Sequence, residues 1–155
     1  MVFLFGYGAM VLPGDLQHYK ENKKMPKFGK TSKKNLATCD QQIQMLLNEA
    51  IKHVDFSVTC GNRGKAAQTE AYETGFSSVE WPDSKHNDMP AKAVDVAPYA
   101  NGILWDDLEG FTLLAGIIKG ISLMLGINIR IGIDWDGDLV VKEHSFKDRP
   151  HIELL

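Results

Sequence analysis

Two histidines and two aspartates are the residues of this 155-residue chain whose types and spacing can do chemistry. His86 stands in Ser84-Lys85-His86, Asp95 in Ala93-Val94-Asp95-Val96, and Asp148 and His151 in Asp148-Arg149-Pro150-His151 near the end of the sequence. Two imidazoles and one carboxylate are the ligand set of a catalytic zinc that keeps a fourth position for water. A second carboxylate one helical or strand step from a ligand can serve as the base on that water. If the four converge, the chain is a metal-dependent hydrolase. Singly, each has a plainer reading. A loop histidine such as His86 is most often a surface residue. Asp95 among apolar neighbours needs a partner, because an unpaired buried charge is expensive, and a structural salt bridge would supply one. His151 on a closing strand suggests a role only weakly.

The elements that must position these residues follow from hydrophobic periodicity. Ile43, Leu46, Leu47, Ala50, Ile51 and Val54 recur at helical spacing, which predicts a helix over residues 38–54 capped by Thr38 or Asp40. Phe56-Ser57-Val58-Thr59-Cys60 alternates as a strand, and residues 65–74 read as a short helix closed by Gly75. Residues 76–92 form a long loop that carries His86, and loops of this length are usually functional or disordered. Residues 93–97 make a short apolar strand with Asp95 at its middle. A second long helix spans residues 105–125, started by Asp106 or Asp107, with Leu108, Phe111, Leu114, Ala115, Ile118, Ile121 and Leu125 facing inward. Residues 127–135 and 139–144 are expected to form a hairpin around Asp136-Gly137-Asp138. A last strand over residues 150–154 presents His151. Two long helices with separated antiparallel strands indicate the α+β class.

The length suits one domain with a substantial core, and 44% hydrophobic with 24% charged residues is the balance of a globular protein. A net charge of -3 argues against a general nucleic-acid binder. Residues 20–34 nevertheless hold seven lysines against the single acid Glu21. The plainer reading is a solvated, mobile arm; the sharper one is a patch attracted to an anionic polymer such as a bacterial cell wall. Cys39 and Cys60 are too few for a disulfide framework, which points to a reducing compartment. Residues 1–12 are apolar but lack the basic start and cleavage site of a secretory signal and are too short to span a bilayer. Residues 111–126 are broken by Lys119, Ser122 and glycines, so a buried amphipathic helix is expected there and no stable membrane insertion. The expectation is a monomer with an extension over residues 1–30 and a catalytic domain over residues 31–155.

The order S-x-H, A-V-D, D-x-x-H resembles the zinc peptidases that cleave bacterial cell-wall peptides, the D-alanyl-D-alanine carboxypeptidases and the phage L-alanyl-D-glutamate endopeptidases. The likeness runs from Phe28 to the end of the chain. Phe28-Gly29-Lys30-Thr31-Ser32 with Leu36 is similar to the opening segment of the phage members. Val58-Thr59-Cys60-Gly61-Asn62-Arg63, with Gln68 and Tyr72-Glu73-Thr74-Gly75, resembles their strand, arginine turn and glutamine-bearing helix. Gly132-Ile133-Asp134-Trp135 resembles their Gly-Asp-Trp segment, and Pro150-His151-Ile152-Glu153-Leu154 their closing strand.

The resemblance implies a small antiparallel sheet flanked by helices, the D-Ala-D-Ala peptidase or hedgehog-like fold, with a zinc site on the sheet. It implies that His86, Asp95 and His151 bind Zn²⁺ and that Asp148 is the catalytic base. Arg63 would then stabilise the developing oxyanion or grip a substrate carboxylate, with a surface salt bridge as its plain alternative. Gln68 would support it or bind substrate, and Ser84 would hold the loop or touch substrate. The substrate would be the peptidoglycan stem peptide, met after synthesis in the host cytoplasm and release to the wall. The rivals are a D-alanyl-D-alanine carboxypeptidase and a non-catalytic wall-binding protein of the same fold. The spacing from His86 to Asp95 is longer than is usual in the family, which a loop absorbs cheaply but which should alter the substrate rim. Cys60-Gly61-Asn62 stands where Ser-Gly-Tyr is commoner, so Cys60 is expected near the metal, with a thiol ligand as an alternative.

Asp134, Asp136 and Asp138 alternate as in a calcium loop, but Leu139 occupies the place of the turn glycine and no glutamate closes the pattern, so a plain turn is expected. Trp81, Trp105 and Trp135 read as core or cleft-wall residues. His18, His53 and His144 carry no motif.

Overall fold

The structure, a computed structural model, describes residues 25–142 and 147–155. The rest of the expected N-terminal extension, with His18, Lys20, Lys23 and Lys24, lies outside the described residues, as does His144 in the expected hairpin. Among the described residues the order is α1 (Lys30–Leu36), α2 (Gln41–Ala50), β1 (Phe56–Cys60), α3 (Lys65–Glu73), a 3-10 turn (Lys85–Asn87), β2 (Ala93–Pro98), α4 (Leu108–Leu125), β3 (Ile129–Ile131) and β4 (His151–Leu154). The strands form one antiparallel sheet in the order β1-β2-β4-β3.

Strand alternation gives this sheet two unlike faces. Phe56, Val58, Val94, Val96, Ile129, Ile131, Ile152 and Leu154 point to one side. There they join Ile43, Leu46 and Leu47 of α2 and Phe111, Leu114 and Ile118 of α4 in the core. Each fully buried Leu or Ile contributes about 1.5–3 kcal/mol, so the sheet rests on a rigid apolar floor. The residues of opposite parity, Asp95, His151, Glu153 and Arg130, share the other face.

The edge of β1 is covered by α1. Ser32 Oγ accepts from Val58 N at 3.1 Å, Asn35 Nδ2 donates to the carbonyls of Val58 (3.0 Å) and Thr59 (2.9 Å), and Phe28 meets Phe56 edge to face. An uncovered edge would leave those groups open to another strand. Val58 lies opposite Val96 and Cys60 opposite Asp95, so Thr59 is the extra residue of a β-bulge. Bulges re-aim the side chains that follow them. Here the bulge turns Cys60 toward Asp95.

Several sequence expectations need correction. The lysine-rich stretch is not an arm throughout, because Lys30, Lys33 and Lys34 lie on α1, whose Ser32 and Leu36 are buried. The helix expected over residues 38–54 is shorter. Asp40 caps α2 by accepting from Gln42 N at 2.8 Å, while Thr38 Oγ1 bonds to Asn35 and Asn62. The second long helix begins at Leu108, where Asp107 caps it through Gly110 N. Leu108 is 53% and Leu125 40% exposed, so neither faces inward. By length and composition alone α4 could cross a membrane, yet Phe111, Leu114, Ala115 and Ile118 face the protein core.

The expected hairpin does not form among the described residues. Strand β3 pairs instead with β4, and the chain turns from residue 132 onward. The Asp134 carboxylate accepts from Gly137 N (3.0 Å) and Leu139 N (3.2 Å), which offers the backbone an alternative to a ladder. Trp105 is 53% exposed rather than a core residue.

Candidate metal centre and active site

Antiparallel register sets two of the four opening residues face to face, since Asp95 of β2 pairs directly with His151 of β4. His86 arrives from the 3-10 turn above them. Its position is set by the turn that follows β1. Gly61 carbonyl accepts from His86 Nδ1 at 2.8 Å, Asn62 Nδ2 donates to the His86 carbonyl at 3.1 Å, and Arg63 N donates to the same carbonyl at 2.8 Å. Gly61 is needed there, because a Cβ would collide with the Asn35 carbonyl and Thr38 Oγ1. Ser84 caps the turn, accepting from His86 N at 3.3 Å while Asn87 Oδ1 accepts from Ser84 N. The longer spacing to Asp95 is absorbed outside the site. Met89 is 81% exposed, and Ala91 N is tied back to the Thr38 carbonyl at 3.0 Å.

The three inward donor atoms form a nearly equilateral triangle. His86 Nε2 is 3.3 Å from Asp95 Oδ1 and 3.3 Å from His151 Nδ1, and His151 Nδ1 is 3.4 Å from Asp95 Oδ1. A tetrahedral ion with bonds of about 2.0–2.1 Å to N and O donors needs donor separations of about 3.3–3.4 Å. The outward nitrogens are engaged: His86 Nδ1 donates to the Gly61 carbonyl and His151 Nε2 to Glu153 Oε2 at 3.3 Å. In the neutral rings both lone pairs therefore point at Asp95, as ligand histidines do when their other N–H is tied. Such a convergence demands positive charge, supplied by protons or by a metal ion. The residues fit a zinc ion.

Electrostatics carry the same demand. Burial pushes His86 down, but the hydrogen bonds to Asp95 and Cys60 outweigh it and hold the imidazole up at about 10. His151 is likewise lowered by burial yet raised overall by Asp95 and Glu153. Burial pushes the Asp95 carboxyl up, and the two histidines bring it well below the usual carboxylate range. The donor atoms of Cys60, His86 and Asp95 also all lie within 4.8 Å of one another, a group that could hold a metal ion. Cys60 thus stands beside the triangle, with Arg63 Nη2 directed at its sulfur at 3.8 Å.

Asp148 is half-buried next to this cluster. Burial and the charge of Asp95 raise its carboxyl, against the opposing charges of His151, His86 and Arg63. Its backbone is bolted to the site: Asp148 N donates to Gly132 carbonyl at 2.8 Å, and His151 N to Asp148 carbonyl at 3.1 Å. Gly132 N in turn donates to His151 carbonyl at 2.8 Å. A Cβ on Gly132 would strike the Asp148 carbonyl and crowd His151 Cβ at 3.0 Å. Gly132→Ala should therefore destabilise the fold by about 1–3 kcal/mol and displace Asp148 and His151 together. Urea denaturation checks this, and an unchanged midpoint would show that the strand gives way freely.

The remaining expected residues surround the triangle. Arg63 Nη2 donates to Asp95 Oδ2 at 3.2 Å and Nη1 to Gln68 Oε1 at 3.2 Å. Gln68 is fully buried, accepting from Asn87 Nδ2 and donating to Ser77 Oγ and the Val79 carbonyl. It holds Arg63, and Ser84 holds the His86 turn.

Three contributors, Glu153, Asn62 and Asn87, were not assigned a role from sequence. Glu153 has a readable signal, since it sits two places from His151 on a strand and so shares its face. Trp135 stacks on His151 with ring centroids 5.6 Å apart, which gives the cleft-wall expectation a definite partner. Asn62 and Asn87 leave no periodic trace. Asp134, Asp136 and Asp138 also cluster, with carboxylate oxygens within 4.8 Å.

Comparison with known proteins agrees in extent with the likeness running from Phe28 to the end of the chain. A family model described as phage L-alanyl-D-glutamate peptidase matches residues 25–155. The L-alanyl-D-glutamate peptidase of Escherichia phage T5 is 35% identical over 136 residues, covering 83% of this chain and 98% of that protein. The crystal structure of an L-Ala D-Glu endopeptidase of Serratia marcescens superposes with a TM-score of 0.68 at 24% identity, over 86% of this chain and 94% of that one. That last likeness speaks for the fold.

Proposed function

We propose that this chain, which belongs to the phage L-alanyl-D-glutamate peptidase family, is a zinc-dependent endopeptidase that hydrolyses the L-alanyl-D-glutamate bond of the peptidoglycan stem peptide. The observation that carries the reading is the triangle of His86 Nε2, Asp95 Oδ1 and His151 Nδ1 with tetrahedral edge lengths. His86, Asp95 and His151 would hold the ion and leave a fourth position free. Bound there, zinc would supply a Lewis acid that acidifies a water molecule and polarises the scissile carbonyl.

Asp148 takes the proton of the attacking water as its oxygen bonds to the alanyl carbonyl carbon. As the C–N bond breaks, the same carboxyl hands that proton to the departing amine of D-glutamate. Arg63, fixed by Asp95 and Gln68, places a permanent charge beside the developing oxyanion. Gln68 and Ser84 act by holding Arg63 and the His86 turn. We place the catalytic domain at residues 31–155, acting as a monomer with no nucleic-acid partner and no stable insertion in a membrane. The protein would be made in the host cytoplasm and act on the wall after release.

Digestion of purified peptidoglycan followed by mass spectrometry should reveal new amino-terminal D-glutamate ends. Chelation should stop the reaction and added zinc restore it. Release of free D-alanine would instead identify a carboxypeptidase. Wall binding with no cleavage by the zinc-loaded protein would identify a non-catalytic module.

A further inference from the structure

Glu153 is buried on the site face of the sheet, 8% exposed. Its Oε2 accepts from His151 Nε2 at 3.3 Å, while Oε1 takes Arg130 Nη1 at 3.0 Å and Lys85 Nζ at 3.3 Å. Lys85 is the residue before His86 in the 3-10 turn, and its ammonium also donates to the Leu154 carbonyl. One carboxylate therefore touches the ring of one histidine and the chain neighbour of the other. A carboxylate taken out of water is costly unless cations and N–H donors surround it. Here two cations and a ring N–H do so. Arg130, Glu153 and Lys85 come from β3, β4 and the 3-10 turn, so the group fastens the loop of His86 to the sheet that carries His151.

We propose that Glu153 is a positioning residue that locks both histidines of the metal centre, fixing His151 directly through its ring and His86 through Lys85. The inference rests on the metal site proposed above. A carboxylate on the far nitrogen of a ligand histidine sets its tautomer and ring orientation and raises its basicity. The tie through Lys85 matters because residues 76–92 hold no other regular element than this one 3-10 turn. Without the Glu153 carboxylate, the turn keeps its Ser84 cap, its bonds to residues 61–63 and the bond from Lys85 to the Leu154 carbonyl, but loses its charged tie to β4.

The test is a zinc titration of the full chain against a chromophoric chelator, for wild type, E153A, E153Q and K85M, with thermal melts to confirm folding. Wild type should bind one zinc per chain. E153A should bind about 10–100-fold more weakly. E153Q should recover part of that loss, since the amide oxygen still accepts from His151 Nε2. K85M should also weaken binding, although it leaves the His151 contact intact. If E153A does not fold, E153Q and K85M carry the same comparison. Affinities of the folded variants indistinguishable from wild type would overturn the inference while leaving the metal site standing. A wild-type chain that takes up no zinc would overturn the metal site itself, and the inference with it.

Discussion

Asp148→Asn is expected to lower turnover on peptidoglycan by about 10²–10⁴-fold while leaving fold and zinc content as in wild type. The amide keeps the size of the carboxyl and the backbone bonds that tie residue 148 to Gly132 and His151. What it loses is the ability to accept a proton from water. Burial and the nearby Asp95 raise the Asp148 carboxyl, so its carboxylate is a readier proton acceptor than an exposed one. That direction suits a group that must take a proton and then return it to a leaving amine. Zinc analysis and a steady-state rate on wall fragments together check the assignment. An undiminished rate would remove Asp148 from the mechanism, and loss of zinc would make it a ligand rather than a base.

Much of the architecture is legible from periodicity because the core is built from periodic elements. Strand β1 falls on the expected residues, and α2, α3, α4, β2 and β4 all lie within a few residues of expectation. The departures occur where side chains compete with the backbone. Asp134 satisfies two backbone N–H groups and so replaces a hairpin with turns, although Asp-Gly signals a tight hairpin. Helix α1 was hidden because its lysines read as a solvated run, while only Ser32 and Leu36 face inward. At the site, His86, Asp95 and His151 could be named from residue type and order. Their convergence was implied only by the family resemblance, because its geometry depends on the register of β2 against β4 and on the bulge at Thr59. Asn62 and Asn87 were invisible for a related reason: their work is to bond loop carbonyls that only the folded chain brings near.

Asp95→Asn is expected to abolish zinc binding and hydrolysis together. Asp95 Oδ1 is one corner of the triangle, and Oδ2 neutralises Arg63 at 3.2 Å. The amide keeps the size of the carboxyl but removes the anion that faces Arg63 and both imidazoles, and breaking such a buried charged group costs about 3–5 kcal/mol. A metal-free comparison tests the same geometry without catalysis. In the metal-free wild type His86 is held at about 10, above the 6.5 of the unfolded chain. Its charged form thus contributes stability that is complete below pH 6.5 and is lost as pH rises toward 10. Asp95, depressed from 3.8, contributes above that pH and loses its effect as pH falls further. Melting temperature of the metal-free protein should therefore decline on both sides of a mildly acidic optimum, and in Asp95→Asn the alkaline decline should flatten. Zinc reverses the requirement, because its ligands must be deprotonated. Adding zinc to the metal-free wild type at pH 7 should release protons into a weakly buffered solution, and the variant should release none. Retained zinc and turnover in Asp95→Asn would show that the Asp95 carboxylate is not required as a ligand, and Cys60→Ser in the same background would test whether the neighbouring thiol serves in its place.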